Sequence, residues 1–296
     1  MQVRIAAVAA QCTRGEAEVE NVRRALDYID EAAAKGANIV SFPEGFPGPY
    51  NGPVTYSALE VLCAKARERS VYVIASMVER ASTSLSREVY YLALKLIDPA
   101  GNVVGTYHRV LPNPREMNTV LMGGKIIAPG DRLQTFETSY GRLGLLICSE
   151  IWSPELPLIL ALQGADVIFA PIGGALYELC ENWKIILRAR AAENLVYVIA
   201  SQNHWGMEAG LNMVVGPEGI VAESTSQGVL MATVDLKRLE WLRSNVQKME
   251  IPKPYRTIPG MLRHRRPELY GAIIEPREDL YDFHYFTRDL KPQGAR

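Results

Sequence analysis

Cysteine is scarce in this chain, and so is any excess of charge. The four cysteines among 296 residues, Cys12, Cys63, Cys148 and Cys180, show no C-x-x-C spacing and no Cys/His cluster. That argues against a disulfide framework or a zinc site and leaves a small buried hydrophobe as the default role of each. Lys plus Arg number 32 against 33 for Asp plus Glu, a formal charge of -1, with no segregation of sign, so neither a nucleic acid nor an anionic membrane is expected as the main partner. No apolar run approaches the roughly 20 residues of a membrane span. Met1 leads directly into the strand-like run Val3, Arg4, Ile5, Ala6, Ala7, Val8 rather than into a signal peptide. A soluble, cytoplasmic protein is expected.

What is present is a core-forming sequence, 48% hydrophobic, of a length that fits one or two domains. β-branched apolar runs alternate with stretches of helical period, the pattern of an α/β protein. Strands are predicted over 3–10, 39–42, 71–76, 89–97, 143–148, 167–170, 196–201 and 213–215, and helices over 16–35, 55–69, 154–163 and 183–194. The sequence also repeats. Val71 to Ser76 recurs letter for letter as Val196 to Ser201, Ala37-Asn38-Ile39-Val40 matches Ala165-Asp166-Val167-Ile168, and the turn at Pro99 to Gly101 matches Pro217 to Gly219. Ordered matches at similar offsets predict two pseudo-equivalent halves, each with one sheet, packed face to face with helices outside. One domain over 1–296 follows. After about Val246 the prolines at 252, 254, 259, 267 and 276 mark 246–296 as an extended tail lying on the surface or on a partner subunit.

Ligands of open α/β sheets collect beyond the carboxyl ends of strands. There the sequence places Phe42-Pro43-Glu44-Gly45, Ala170-Pro171-Ile172-Gly173 and Cys148-Ser149-Glu150: a carboxylate, a glycine-bearing loop and a thiol, facing one pocket. Tyr50, Trp152 and Trp183 are close to these segments in sequence, and pocket wall or ordinary core are equal readings for them.

Phe42-Pro43-Glu44, then Tyr107-His108-Arg109-Val110-Leu111-Pro112, then Leu146-Ile147-Cys148-Ser149-Glu150 with Pro154-Glu155 resemble the three catalytic segments of the nitrilase superfamily, the carbon-nitrogen hydrolases. Arg188 to Asn194, Ala128 to Asp131 and Arg265 to Tyr270 are also similar to family segments, so the resemblance runs through essentially the whole chain in order. It implies a four-layer αββα sandwich and a Glu-Lys-Cys triad that cleaves an amide, carbamoyl group or nitrile through a thioester. Mapped by motif, Cys148 is the nucleophile, Glu44 the general base and Glu116 the second glutamate, which positions cation and substrate. The pattern departs at the cation. Alignment on Pro112 puts Arg109 where the family has lysine. Arginine keeps the charge and can clamp a carboxylate, but it is bulkier and gives up no proton; a structural ion pair to Glu44 or Glu116 is the alternative role. Lys125, beside Gly123-Gly124 in the long 117–127 insertion, is another candidate supplier of the cation, although a solvated loop lysine is its simplest reading.

The chemistry needs these residue types independently of the resemblance. A free cysteine thiol, which titrates at about pH 8.5, is mostly protonated at neutral pH and needs a base or a cation beside it. A carboxylate such as Glu44 can take that proton, pass it to the leaving amine and then activate water. The oxyanion of the tetrahedral intermediate needs a fixed cation or backbone N–H donors. His108 and His204 read as hydrogen-bonding scaffold, since a carboxylate base is already present. The expected activity is cofactor- and metal-independent hydrolysis of a small linear amide or N-carbamoyl compound. Nitrile hydrolysis, acyl transfer to an amine and a weakly active metabolite-binding relative remain alternatives. Tyr50, Trp152, Ile172 and Gly173 would line the substrate pocket, and dimerisation through 154–163 and 183–194 is what the resemblance implies.

Overall fold

Along β1 (Gln2–Gln11) the side chains of Val3, Ile5 and Ala7 join one hydrophobic cluster while Ala6, Val8 and Ala10 join another. A strand apolar on both faces must be covered on both sides. The computed structural model describes residues 1–81, 88–174, 179–204, 210–244 and 265–275, and within it two sheets are each covered on the outside by helices. The first half runs α1 (Glu20–Ala34), β2 (Ile39–Ser41), α2 (Leu59–Arg69), β3 (Tyr72–Arg80), β4 (Val89–Ile97) and β5 (Val103–His108). A connection carries α3 (Arg115–Leu121), β6 (Ile126–Ile127) and β7 (Thr135–Thr138). The second half runs β8 (Gly141–Leu145), α4 (Glu155–Leu162), β9 (Val167–Phe169), α5 (Cys180–Asn194), β10 (Tyr197–Ala200), β11 (Asn203–His204), β12 (Asn212–Gly216) and β13 (Gly219–Ser224). After it come β14 (Gly228–Asp235), α6 (Leu236–Arg243) and the short α7 (Gly271–Ile274).

The first sheet has the order β11-β1-β2-β3-β4-β5, with β14 antiparallel to β1 and β6 on β4; the second has the order β13-β12-β10-β9-β8-β7. The repeat predicted from sequence is a repeat of topology. β1, β2 and β3 are parallel and β4 and β5 follow antiparallel; β8, β9, β10, β12 and β13 do the same. Even the register agrees, since Ile39 sits opposite Tyr72 and its counterpart Val167 sits opposite Tyr197. Helices α1 and α2 pack together outside the first sheet, where Ala25, Ile29, Ala32, Leu62 and Ala66 meet Val73 and Ala75. On α1 the buried positions Asn21, Ala25, Ile29 and Ala32 follow the helical period. Helices α4 and α5 cover the second sheet. This is the α-β-β-α layering expected. No helix among the described residues is long and apolar enough to cross a membrane.

Several predicted elements end elsewhere, for local reasons. The helix predicted from 16 begins as one 3₁₀ turn, Gly15–Val19, before α1. The one predicted from 55 starts at Leu59, whose N–H is taken by the Ser57 hydroxyl at 3.3 Å. The strand predicted over 143–148 stops at Leu145 because the chain turns at Cys148, with φ of 54°. None of the four cysteines is disulfide-bonded and each is partly exposed, so none is the fully buried hydrophobe that composition suggested. Of the tail at 246–296, only 265–275 fall within the described residues, as a 3₁₀ turn and α7 with exposed side chains.

Candidate active site

The chain leaves β2 at Ser41, and the Phe42 N–H still bonds to the Ile74 carbonyl at 2.9 Å before Pro43 ends the ladder. Gly45 then has φ of 69°, and a Cβ there would lie 2.3 Å from the Tyr50 ring. Only glycine lets the backbone turn so closely under that ring. Residues of the second half grip this turn. Ser201 Oγ donates to the Phe42 carbonyl at 3.1 Å, and Asn203 Nδ2 donates to the Glu44 carbonyl at 2.5 Å. The Glu44 side chain is thereby fixed in the interior, 2% exposed.

Cys148 ends the run after β8. Its N–H bonds to the Pro171 carbonyl at 2.8 Å, and its left-handed φ of 54° is rare for a residue with a Cβ. Strain of this kind persists only where surrounding contacts over-determine it, and here Glu150 supplies them. One Glu150 oxygen accepts the Ile147 N–H at 2.7 Å and the Tyr107 hydroxyl at 2.8 Å; the other accepts the N–H groups of Val110 and Leu111 at 2.7 and 2.9 Å. A single buried carboxylate thus ties the turn of Cys148 to the segment after β5. From α5, Arg190 donates to the carbonyls of Ile151 and Trp152, both at 3.0 Å.

Arg109 follows β5 and is 1% exposed. Its Nη1 donates to Glu44 Oε1 at 3.0 Å, Nη2 to Asn113 Oδ1 at 3.0 Å and to Ser149 Oγ at 2.6 Å, and Nε to the Leu111 carbonyl at 2.8 Å. Four of its five N–H groups therefore have acceptors among the described residues. The Cys148 thiol lies within electrostatic reach of Glu44 and Arg109, and the Gly173 N–H is directed at the sulfur. Burial pushes the Cys148 thiol up and the charge of Glu44 pushes it further, against the opposite pull of Arg109 and the Gly173 N–H; the net shift is far above the ordinary thiol range. At rest this is a neutral thiol with a base beside it. Burial opposes the charge of Arg109, but the surrounding acidic groups, Glu44 foremost, outweigh burial and hold the guanidinium above its ordinary value. Burial, then Glu44 and Cys148, raise the Tyr50 phenol well above its usual range, so it stays protonated next to them.

Residues 4–244 match the family model described as carbon-nitrogen hydrolase. The chain belongs to the carbon-nitrogen hydrolase family. It is 28% identical to the omega-amidase NIT2 of Homo sapiens over 279 residues, covering 86% of this chain and 93% of the relative. It is 29% identical to the N-carbamoylputrescine amidase of Oryza sativa subsp. japonica, covering 92% and 95%. Among solved structures, the carbon-nitrogen hydrolase of Helicobacter pylori G27 superposes with a TM-score of 0.73 at 21% identity, over 93% of this chain and 99% of that one. A mutant amidase from Nesterenkonia sp. AN1, bearing the acetamide moiety of fluoroacetamide on its active-site cysteine, superposes with 0.71 at 22% identity, over 90% and 95%.

In this carbon-nitrogen hydrolase the structure brings together Glu44, Arg109, Cys148, Tyr50 and Gly173, with Ile172 buried at the adjoining strand end. Trp152 lies edge-on to Trp183 of α5, with ring centroids 5.3 Å apart. Glu116 falls within α3, and its side chain lies outside the described residues. Lys125 is neither the solvated loop lysine nor the cation at Glu44. Its Nζ donates to the carbonyls of Tyr50, Asn51, Gly52 and Met122, which holds it in the wall of the loop after Glu44. Asn113 and Ser149 join the site as partners of Arg109 that the motifs alone do not point to. Their signal in the sequence is weak: one lies four residues beyond the arginine and the other beside the cysteine.

His108, adjacent to Arg109, is scaffold. It stacks on Tyr91 with centroids 4.1 Å apart and pairs with Glu79, which also pairs with Lys95. Burial works against the Glu79 charge, but hydrogen bonds from His108 and Lys95 prevail and lower its pKa from 4.5 to about 2. A carboxylate depressed on folding adds stability above its unfolded pKa and loses it as pH falls through the folded one. Glu79→Gln should therefore flatten part of the acid-side loss of stability between pH 4.5 and about 2. Urea midpoints measured across that range check this, and parallel wild-type and variant curves would count against it.

Proposed function

We propose that this chain hydrolyses a small linear amide or N-carbamoyl compound through a thioester on Cys148, with Glu44 as the base that carries the protons and Arg109 as the fixed cation. The observation that carries the reading is the meeting of a buried carboxylate, a guanidinium and a thiol on a left-handed turn. Glu44 takes the Cys148 proton as sulfur bonds to the carbonyl carbon. The carbon–nitrogen bond breaks as Glu44 returns that proton to the departing ammonia or amine. Glu44 then deprotonates water, which attacks the thioester; the acid leaves, and Glu44 gives the proton back to the thiol. Because arginine gives up no proton at working pH, proton traffic falls to Glu44 alone. Arg109 and the Gly173 N–H, both beside the sulfur, are the donors proposed to receive the developing oxyanion.

The amide preference is supported by relatives named omega-amidase, deaminated glutathione amidase and N-carbamoylputrescine amidase. We further place the protein in the cytoplasm as a homodimer. Ile159 and Leu162 on α4 and Ile185 on α5 are exposed on the outer helical layer, an apolar face that a second copy would cover. The test is mass spectrometry after incubation with a panel of linear amides, N-carbamoyl amines and nitriles. An acyl adduct on the Cys148 peptide is expected, absent in Cys148→Ser, along with release of ammonia or amine. No adduct and no turnover across the panel would sink the hydrolase reading and favour a metabolite-binding role. Amide products formed from added amines would show acyl transfer instead.

A further inference from the structure

The loop after Glu44 is held by a device that the chemistry so far does not use. Glu18, 1% exposed, lies against the N–H edge of three successive residues. Its Oε1 accepts from Tyr50 and Asn51 at 2.9 and 3.0 Å, and its Oε2 accepts from Gly52 at 2.6 Å. Lys125 binds the opposite edge of the same peptides: its Nζ donates to the Tyr50 and Gly52 carbonyls at 2.9 and 2.8 Å, to Asn51 at 3.3 Å and to Met122 at 3.0 Å. Converging N–H groups form a nest for an anion, and here a carboxylate of the same chain fills it while an ammonium fills the matching nest of carbonyls. The fit is close. A Cβ on Gly52 would fall 2.3 Å from the Gly15 carbonyl oxygen, and one on Gly123 would fall 2.7 Å from that of Asn51.

A buried carboxylate and a half-buried ammonium would not be held around a loop without cause, since each is costly to desolvate. What the loop presents is Tyr50. Its ring lies on Gly45, next to the base, and its phenol is within electrostatic reach of Glu44, Cys148 and Arg109. Resting on the function proposed above, we infer that Glu18 and Lys125 are positioning residues for acylation. Clamping Tyr50 to Gly52 from both edges, they fix the Tyr50 ring against Gly45 and so set the wall of the pocket at Cys148 and Glu44. The reacting atoms touch neither residue, so their influence must pass through Tyr50.

That route makes the inference testable by a double-mutant cycle. Lys125→Met and Glu18→Gln are each made alone and in a Tyr50→Ala background, with thermal unfolding used to choose a temperature at which every variant is folded. Two rates are read: kcat/KM on the best amide of the panel, and alkylation of Cys148 by iodoacetamide followed by peptide mass spectrometry, which needs the pocket but no turnover. Each clamp variant should lower kcat/KM about 10- to 100-fold, the scale of a small misplacement, mostly in kcat. It should change the alkylation rate too, and both effects should largely vanish once Tyr50 is alanine. Coupling in either rate supports the clamp. Losses that are the same with and without Tyr50, in alkylation and in turnover where it exists, overturn it. A wild-type enzyme silent on the whole panel but coupled in alkylation would leave the clamp standing and remove the hydrolase reading.

Discussion

Replacing Glu44 with glutamine is expected to lower turnover by about 10²- to 10⁴-fold, the ordinary loss of a general base, while making the Cys148 thiol easier to ionise. The two effects have opposite sign because Glu44 acts on the thiol in two ways. As the proposed base it would remove the proton during attack; as a neighbouring negative charge it resists formation of the thiolate. Glutamine keeps the shape and removes both. What remains around the sulfur is Arg109 and the Gly173 N–H, which both favour the thiolate. Iodoacetamide alkylation of the Cys148 peptide, followed between about pH 6 and 10, should still be climbing at the alkaline end in the wild type, beyond the ~8.5 of an ordinary cysteine. In the glutamine variant the rise should come earlier. A variant that keeps its turnover, or whose alkylation profile overlays that of the wild type, would exclude Glu44 as the proton carrier.

The second large effect is expected at Arg109. In Arg109→Met the Glu44 carboxylate stays buried without its partner, and breaking a buried pair in this way costs about 3–5 kcal/mol. Loss of the cation should also lower kcat/KM about 10²- to 10³-fold, as loss of a single oxyanion donor does elsewhere. Arg109→Lys separates charge from shape. An ammonium can pair with Glu44, but it lacks the planar fork that reaches Asn113, Ser149 and the Leu111 carbonyl. We expect partial activity and a stability loss of about 1–3 kcal/mol from the acceptors left behind. Urea unfolding and steady-state kinetics on the two variants measure both quantities. A lysine variant as stable and as fast as the wild type would mean that the fork has no use here and that charge alone matters.

Sequence is most informative where a residue's environment follows from its own neighbours in the chain. Runs such as Val89 to Ile97 are apolar enough to name a strand, and β4 has those bounds. The internal repeat is legible for the same reason, because both copies of Val-Tyr-Val-Ile-Ala-Ser fill equivalent buried strands. β13 escapes such a reading because none of its side chains is buried, so no apolar run marks it. Glu44, Arg109 and Cys148 are recognisable from motif and strand-end position. The Arg109 partners Asn113 and Ser149 are not, nor is Glu150, which holds the turn of Cys148, since all three act through distances fixed only when the segments after β5 and β8 come together. Lys125 reads as loop because its partners are backbone carbonyls, and no side-chain pattern announces an ammonium seated among peptide groups.

The matched registers of the two sheets carry an evolutionary consequence. Followed along the strands, the equivalence of Ile39 with Val167 and of Ile5 with Leu143 makes Ile172 the counterpart of Glu44 and Ala10 the counterpart of Cys148. Tandem duplication of one ancestral unit accounts for such a frame, and divergence has since left each copy with a reactive side chain where the other has an inert one. On the mechanism proposed, the base comes from the first copy and the nucleophile from the second. Neither copy alone holds a working pair, so once this division was reached the fusion could no longer be undone without loss of the chemistry.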